Sequence, residues 1–166
     1  MSKIHRLAGV SLATALACGL ATSASAQLLQ HKDLSSAIAT TIALTAIDAC
    51  KAAGYNVSVH VVGRNGEVLV GLRHHAAGVN TFENSWKKAY TSRTFRIPSG
   101  EMVKRLKDNP QLSQIHLTNV IAAQGALPIM IGEEVIGAAG VSGAPGGDKD
   151  EACVKAGLEK VADQLK

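Results

Sequence analysis

The chain has 166 residues, of which 46% are hydrophobic and only 3% aromatic, and its formal net charge is +4. This length suits one domain with a core of aliphatic side chains. The small charge and the scattered basic residues exclude a nucleic-acid-binding surface, which needs a strongly basic face and usually aromatic side chains that stack on bases.

The first 26 residues have the three parts of a secretory signal peptide. Lys3 and Arg6 form a basic region, residues 7–20 form an apolar region, and residues 24–26 (Ala-Ser-Ala) form a cleavage site. The apolar run is shorter than the roughly 20 residues that span a bilayer. We therefore expect cleavage before Gln27, a periplasmic or secreted mature chain, and no membrane insertion after cleavage. Without Lys3 and Arg6, the 17 basic residues fall to 15, against 13 acidic residues.

The first mature elements are a helix and a hairpin. Asp33 is a candidate N-cap, and the apolar periodicity after it predicts a helix over about residues 34–53. Alternating apolar residues predict strands over 56–62 and 67–73. Asn65-Gly66 between them is the strongest short signal for a hairpin turn.

A second helix is predicted from Thr81. Its apolar stripe is formed by Phe82, Trp86, Ala89 and Tyr90. An adjacent small polar face is formed by Ser85, Lys88 and Ser92. A shorter helix is predicted over residues 99–107, before Asn109-Pro110.

The C-terminal part contains strands and a final helix. The segment 115–123 is ambiguous, and near its end the pattern favours a strand. Two further strands are predicted over 127–131 and 135–142. Asp148 is a candidate N-cap of the last helix, with Glu151 at the capping-box position. Hairpins cannot build a parallel sheet, so the pattern predicts an α+β fold with a mainly antiparallel sheet.

Cleavage of the signal peptide would remove Cys18 and leave two cysteines in the mature chain. An exported chain permits a disulfide between Cys50 and Cys153. The alternative is two small buried apolar side chains.

The sequence contains no recognisable catalytic motif. Gly140-Val141-Ser142-Gly143 has the wrong spacing for a nucleophile elbow, and there is no C-x-x-C, H-E-x-x-H, phosphate-binding loop or complete G-x-G-x-x-G. This favours a binding protein over an enzyme.

The histidines are the candidate metal or haem ligands, because neutral imidazole commonly binds both. His74 and His75 end the second strand, where neighbours point to opposite faces, so one ring could enter a pocket. The alternative is a solvated loop pair. His60 lies opposite the face of Val57, Val59 and Val61, and is expected to be satisfied or exposed.

Two other features could bind an anion. Lys88 could contact a carboxylate or a haem propionate, or be solvated. The glycine-rich run that ends at Asp148 leads into a helix N-terminus, which favours anions, but the same glycines suit tight turns and close packing.

Four stretches resemble the GlcG/HbpS family, which also includes the C-terminal domain of PduO-type proteins. They are residues 57–66, 88–99 and 125–129, and the run from Val135 to Pro145 with its continuation at 150–153. The last, which reads Val-Ile-Gly-Ala-Ala-Gly-Val-Ser-Gly-Ala-Pro, is the most specific.

The resemblance implies a single profilin-like α+β domain over residues 27–166. Its five-stranded antiparallel sheet would be flanked by the N- and C-terminal helices, often in a homo-oligomer. Several family members bind haem, and an exported one is associated with haem degradation and iron release. We therefore expect an exported haem-binding protein with haem as its cofactor, and a weak haem-degrading activity as an extension. The alternatives are a binding protein for another small metabolite or metal ion, and an oligomeric interaction module without chemistry.

The chain departs from the family at three places. Gly63 stands where the family usually has Asp, residues 125–128 read Gly-Ala-Leu-Pro in place of Gly-Gly-x-Pro, and His74-His75 stand where an acidic residue and glycine are usual. Without that carboxylate, a metal site built from acidic side chains is less expected. We assign ligand or haem binding to His74, His75 and Lys88, keep the two histidines as candidate metal ligands, and assign no catalytic residue.

Overall fold

The computed structural model describes residues 29–166, of which residues 31–166 form one compact unit. The predicted signal peptide, residues 1–26, lies outside the described residues. In chain order the main elements are α1 (Ser36–Ala52), β1 (Ser58–Val62), β2 (Val68–Arg73), α2 (Thr81–Phe95), α3 (Ser99–Asp108), β3 (Ala126–Ile131), β4 (Glu134–Ser142) and α4 (Gly147–Lys160). No helix among them is long and apolar enough to cross a membrane.

The four strands form one antiparallel sheet in the order β2-β1-β4-β3. The predicted α+β class and antiparallel sheet are therefore confirmed. The hairpin turns at Asn65-Gly66, where Gly66 has φ +79°, a conformation that glycine adopts without strain. This turn places His60 of β1 opposite Gly71 of β2, an edge strand, while Gly140 of β4 flanks His60 on the other side.

The expected fifth strand is wrong. The segment 115–123, which was the ambiguous one in the sequence, satisfies backbone groups locally. The Val120 N–H donates to the Leu117 carbonyl at 3.1 Å, and the Ile121 N–H donates to Oγ1 of Thr91 at 2.9 Å. Backbone donors that are already paired in this way are not available to a neighbouring strand.

One face of the sheet carries the main apolar core. Val59 and Val61 of β1 are fully buried and pack in one cluster with Ile42 of α1 and with residues of α4. A disulfide joins α1 to α4 between Cys50 and Cys153, whose Cα atoms are 5.5 Å apart. Of the two alternatives that the sequence left open, the structure shows the paired one.

The other face is covered by α2, which turns its small polar side to the sheet. Its buried residues are Thr81, Ser85, Lys88, Ala89, Thr91 and Ser92. The cause is Gly140, where a Cβ would lie 2.4 Å from the Ser85 carbonyl oxygen and 2.7 Å from the Ala89 nitrogen. The α2 backbone thus rests directly on β4. The aromatic residues of the apolar stripe are displaced to the side, so Phe82 is 41% exposed and Trp86 is only partly buried, whereas Ala89 of the same stripe is buried against the sheet.

Two predicted helix caps are wrong. Ser35, not Asp33, caps α1, and the Asp33 carboxylate instead accepts a hydrogen bond from Nε of Arg64 at 2.7 Å. Gly146, not Asp148, is the N-cap of α4, so Asp148 lies within the first turn of the helix. Because the Asp33 carboxylate binds Arg64, it is not free to cap α1. The local sequence does not reveal this contact, since Arg64 lies 31 residues further along the chain.

Candidate ligand-binding site

A cavity of about 510 Å³ lies between the β1–β2 hairpin and the first turns of α2. Its lining residues are His60, Val68, Gly71, Phe82, Glu83 and Trp86. β2 is an edge strand, so no strand within residues 29–166 pairs with its outer edge. Concave sites of this size, with mostly apolar walls and a few polar groups, are typical of small-ligand binding.

His60 is the buried polar residue of this cavity, with only 3% of its surface exposed. Its Nδ1 lies 2.8 Å from Oγ of Ser85, and its ring meets the Phe82 ring edge-on with centroids 4.3 Å apart. Burial lowers the pKa of His60 from 6.5 to about 4. The imidazole is therefore neutral at pH 7, because burial disfavours its charged form.

The hydrogen bonds of Ser85 indicate which nitrogen of His60 carries the proton. The Ser85 hydroxyl donates to the Phe82 carbonyl at 2.9 Å, and a hydroxyl has a single proton to donate. When Ser85 donates that proton to the Phe82 carbonyl, it accepts from Nδ1 of His60. Neutral imidazole has one N–H, so Nε2 retains an unshared electron pair. No residue within 29–166 forms a hydrogen bond with Nε2.

Gly71 provides the space for that nitrogen. A Cβ at residue 71 would lie 2.7 Å from Nε2 of His60 and 3.1 Å from Cζ of Phe82. His60 was expected to be satisfied or exposed; it is satisfied at one nitrogen only. The signal that could have identified it is the Asn65-Gly66 turn, because a turn centred there pairs His60 with a glycine.

The cavity wall contains a second polar group with an unmet hydrogen bond. Nε1 of Trp86 is buried and has no hydrogen-bond partner among the described residues. A buried N–H without a partner costs about 1–3 kcal/mol. The cavity is thus lined by apolar side chains and by His60, while the unpaired Nε1 of Trp86 is buried within its wall.

The two histidines predicted as ligands lie beyond the end of β2 and do not line this cavity. Their ring centroids are 4.2 Å apart. The Ala76 N–H donates to Nδ1 of His74 at 3.2 Å, so the lone pair of neutral His74 is already engaged. Partial burial, then the charges of His75 and Lys51, lower the pKa of His74. His75 is exposed. Ligand binding by this pair stays a prediction.

Lys88 is buried and contacts a carboxylate of its own chain. Its Nζ donates to Oδ2 of Asp150 at 2.8 Å and to the Val141 carbonyl at 3.1 Å. The other carboxylate oxygen of Asp150 accepts from the Ala144 N–H at 3.0 Å. Burial raises the pKa of Asp150, and the hydrogen bond from Lys88 opposes this. Within the described chain Lys88 ties α2 to α4, and its contact with a ligand stays a prediction.

Comparison with known proteins establishes the family. The family model described as haem degrading protein HbpS-like matches residues 34–159. The chain belongs to the HbpS-like family. A crystal structure of HbpS is 34% identical to this HbpS-like chain, with a TM-score of 0.77 over 81% of this chain and 94% of that one. A double mutant of Streptomyces reticuli HbpS is 30% identical, with a TM-score of 0.78 over 95% and 99%.

A more distant structure, the PduOC:heme complex, shares the fold. It is 20% identical, with a TM-score of 0.69 over 76% of this chain and 93% of that chain. Together these matches confirm the resemblance to the GlcG/HbpS family and to PduO-type domains that the sequence indicated.

Proposed function

We propose that this HbpS-like chain binds haem in the cavity between the β1–β2 hairpin and α2. The observation that carries the proposal is the buried, neutral His60, whose Nε2 has no partner among the described residues and borders an apolar cavity. The family is described by haem degradation, and a structure with the same fold contains haem. Both support a haem ligand.

The residues fit haem better than a bare metal ion. No group of three or more His, Cys, Asp or Glu side chains within residues 29–166 is placed to hold a metal. Haem brings four nitrogen ligands of its own, so the protein needs to supply one donor and an apolar environment. His60 offers the donor, and the walls of the cavity offer the environment.

The exposed apolar walls support the same proposal. Val68 is 50% exposed and Phe82 is 41% exposed at the cavity. A flat apolar ligand that covered them would remove apolar surface from water, worth roughly 25 cal/mol per Å². Aromatic rings such as Phe82 and Trp86 also favour contact with the face or edge of another ring system.

A haemin titration tests the proposal. We expect a saturable Soret change at one haem per chain. Val68→Glu places a charge at the cavity and should weaken haemin binding at least tenfold. Leu44→Glu is the matched control, because Leu44 is 49% exposed but lies on α1. No saturation in the unmodified chain, or equal affinity in the Val68 and Leu44 variants, would contradict the proposal.

Haem degradation is a second candidate, because the description of the family names it. The iron and an added oxidant such as hydrogen peroxide would supply the chemistry, and the chain would supply binding and access. If this is correct, peroxide should bleach the complex and release iron faster than it does from free haemin at the same concentration. Equal rates would leave haem binding as the only activity.

We further propose that the mature chain begins at Gln27 and acts in the periplasm or outside the cell. The pattern of residues 1–26 supports this, as does the Cys50–Cys153 disulfide, since disulfides persist mainly in oxidising compartments. N-terminal sequencing of the chain from cell fractions should find Gln27 first in the exported fraction. Recovery of the uncleaved chain in the cytosol would contradict this proposal.

A further inference from the structure

We propose that His60 binds the haem iron through Nε2, with Ser85 and Gly71 as the positioning residues that keep this nitrogen free and open to the cavity. The inference rests on the proposed haem binding and adds to it the identity of the ligand. It assigns the role to a strand residue and not to the pair His74 and His75.

The orientation of the ring follows from its two sides. Nδ1 is 2.8 Å from Ser85 on α2, so the rest of the imidazole is directed away from that contact. Nε2 lies beside Gly71 of the edge strand, 2.7 Å from the position that a Cβ of residue 71 would occupy. Phe82 packs on the ring with its centroid 4.3 Å away. These contacts hold Nε2 beside the edge strand, in a residue that lines the cavity.

The contact with Ser85 also prepares His60 electronically. A histidine ligand usually donates its other N–H to an acceptor, which fixes the tautomer and raises the basicity of the ligating nitrogen. The Ser85 hydroxyl can act as that acceptor because its own proton goes to the Phe82 carbonyl. Since the ring is already ordered, binding costs less conformational entropy than it would for an exposed side chain.

The two histidines beyond the end of β2 are less suited to this role. His74 uses Nδ1 to accept from the Ala76 N–H at 3.2 Å, so its other nitrogen carries the proton. His75 is exposed and stacks loosely on His74. His60 is the histidine in the described chain that is both buried and left with an unshared pair at a cavity.

The first experiment compares histidine variants in haemin titrations. His60→Ala should shift the Soret band and weaken haemin binding at least tenfold, while the double variant His74→Ala, His75→Ala should bind as the unmodified chain does. Added imidazole should restore the original spectrum of His60→Ala by entering the vacated space. That rescue would not be expected if the substitution had only disturbed folding, which circular dichroism monitors in parallel.

The second experiment blocks the nitrogen without removing it. Gly71→Ala adds a methyl group 2.7 Å from Nε2 and should reproduce the spectral change of His60→Ala. Gly78→Ala is the matched control, since a Cβ there has its nearest neighbours at an ordinary 3.4 Å. If both glycine variants bind haemin as the unmodified chain does, Nε2 is not the ligand.

The third experiment needs no haem. Nitrogen-15 NMR of the haem-free chain should show His60 protonated at Nδ1 and unprotonated at Nε2, and Ser85→Ala should change that pattern. The opposite tautomer would remove the free electron pair and overturn the inference.

The outcomes separate this inference from the proposed function. If the unmodified chain does not bind haemin saturably, both fail. If it binds, but His60→Ala keeps the original affinity and spectrum, haem binding stands and the assignment to His60 is overturned. Loss of binding in the double variant of His74 and His75 would then locate the ligand at the strand end.

Discussion

His60 is a buried histidine, and it fits its position because Gly71, the residue opposite it, has no side chain. Gly71 leaves the space that the imidazole fills, and Ser85 satisfies one of its nitrogens. The remaining nitrogen lies beside Gly71, and both residues line the cavity. Protonation would place a charge in this buried position, so the histidine links the stability of the fold to pH.

This link gives a prediction for the haem-free chain. The pKa of His60 is about 4 in the folded chain, against 6.5 for an unperturbed histidine, so the unfolded chain takes up this proton first. Stability from neutral His60 is present above pH 6.5 and is lost as the pH falls towards 4. Urea unfolding should show a loss of about 3 kcal/mol from this group over that window.

His60→Gln supplies the control for the pH prediction. The variant cannot titrate in this range, so its stability should fall less steeply between pH 6.5 and 4.5. Glu83 is the charged residue that lines the same cavity, and its contribution is common to both chains. Identical pH profiles for the two would contradict the buried neutral state of His60.

The sequence pointed to the histidine pair at the end of β2 and not to His60. His74-His75 attracts attention because the two residues are adjacent, yet a backbone N–H already occupies the acceptor of His74. His60 looked ordinary because its partners, Gly71 and Ser85, are 11 and 25 residues away in the chain. Its site exists only after the hairpin and α2 come together.

At the scale of elements, α2 lies close against β4 at Gly140. Gly140→Ala would put a methyl group 2.4 Å from the Ser85 carbonyl oxygen and 2.7 Å from the Ala89 nitrogen. Neither backbone atom can move without shifting the helix. We expect a loss of about 1–3 kcal/mol in urea unfolding, typical of overpacking. Gly78→Ala should lose little, and an equal effect in the two would argue against the close contact.

The Lys88–Asp150 pair fixes α2 to α4 and gives a second element-scale prediction. Lys88→Met alone leaves a buried carboxylate without its cation and should cost about 3–5 kcal/mol. Adding Asp150→Asn removes that charge while keeping an acceptor for the Ala144 N–H, so the double variant should recover much of the loss. Unfolding free energies of the four chains form a double-mutant cycle. Additive effects would mean that the two side chains are not coupled.

Local patterns predicted most elements but not how they pack. The hairpin at Asn65-Gly66 and the strands around it follow from alternation and turn chemistry. The pattern of α2 left open which of its two faces meets the sheet, and a distant glycine, Gly140, lets the small polar face do so. The absent fifth strand has a similar cause, since the Ile121 N–H is taken by Thr91, 30 residues earlier.

At the scale of the whole molecule, the disulfide closes a long loop between the first and last helices. Cys50 and Cys153 are 103 residues apart, and loop entropy predicts a stabilisation of about 4.7 kcal/mol. The double variant Cys50→Ala, Cys153→Ala should therefore melt at a clearly lower temperature. Dithiothreitol should lower the melting temperature of the unmodified chain but not of the variant. Equal melting temperatures would show that the bond adds little.

The described molecule is therefore a sheet with a disulfide-braced core on one face and, on the other, the cavity proposed to bind haem. A crystal structure of the chain with haemin tests this account most directly. The account predicts haem between the β1–β2 hairpin and α2, with its iron bonded to Nε2 of His60. Haem bound at His74 or His75, with the cavity empty and His60 unligated, would contradict it.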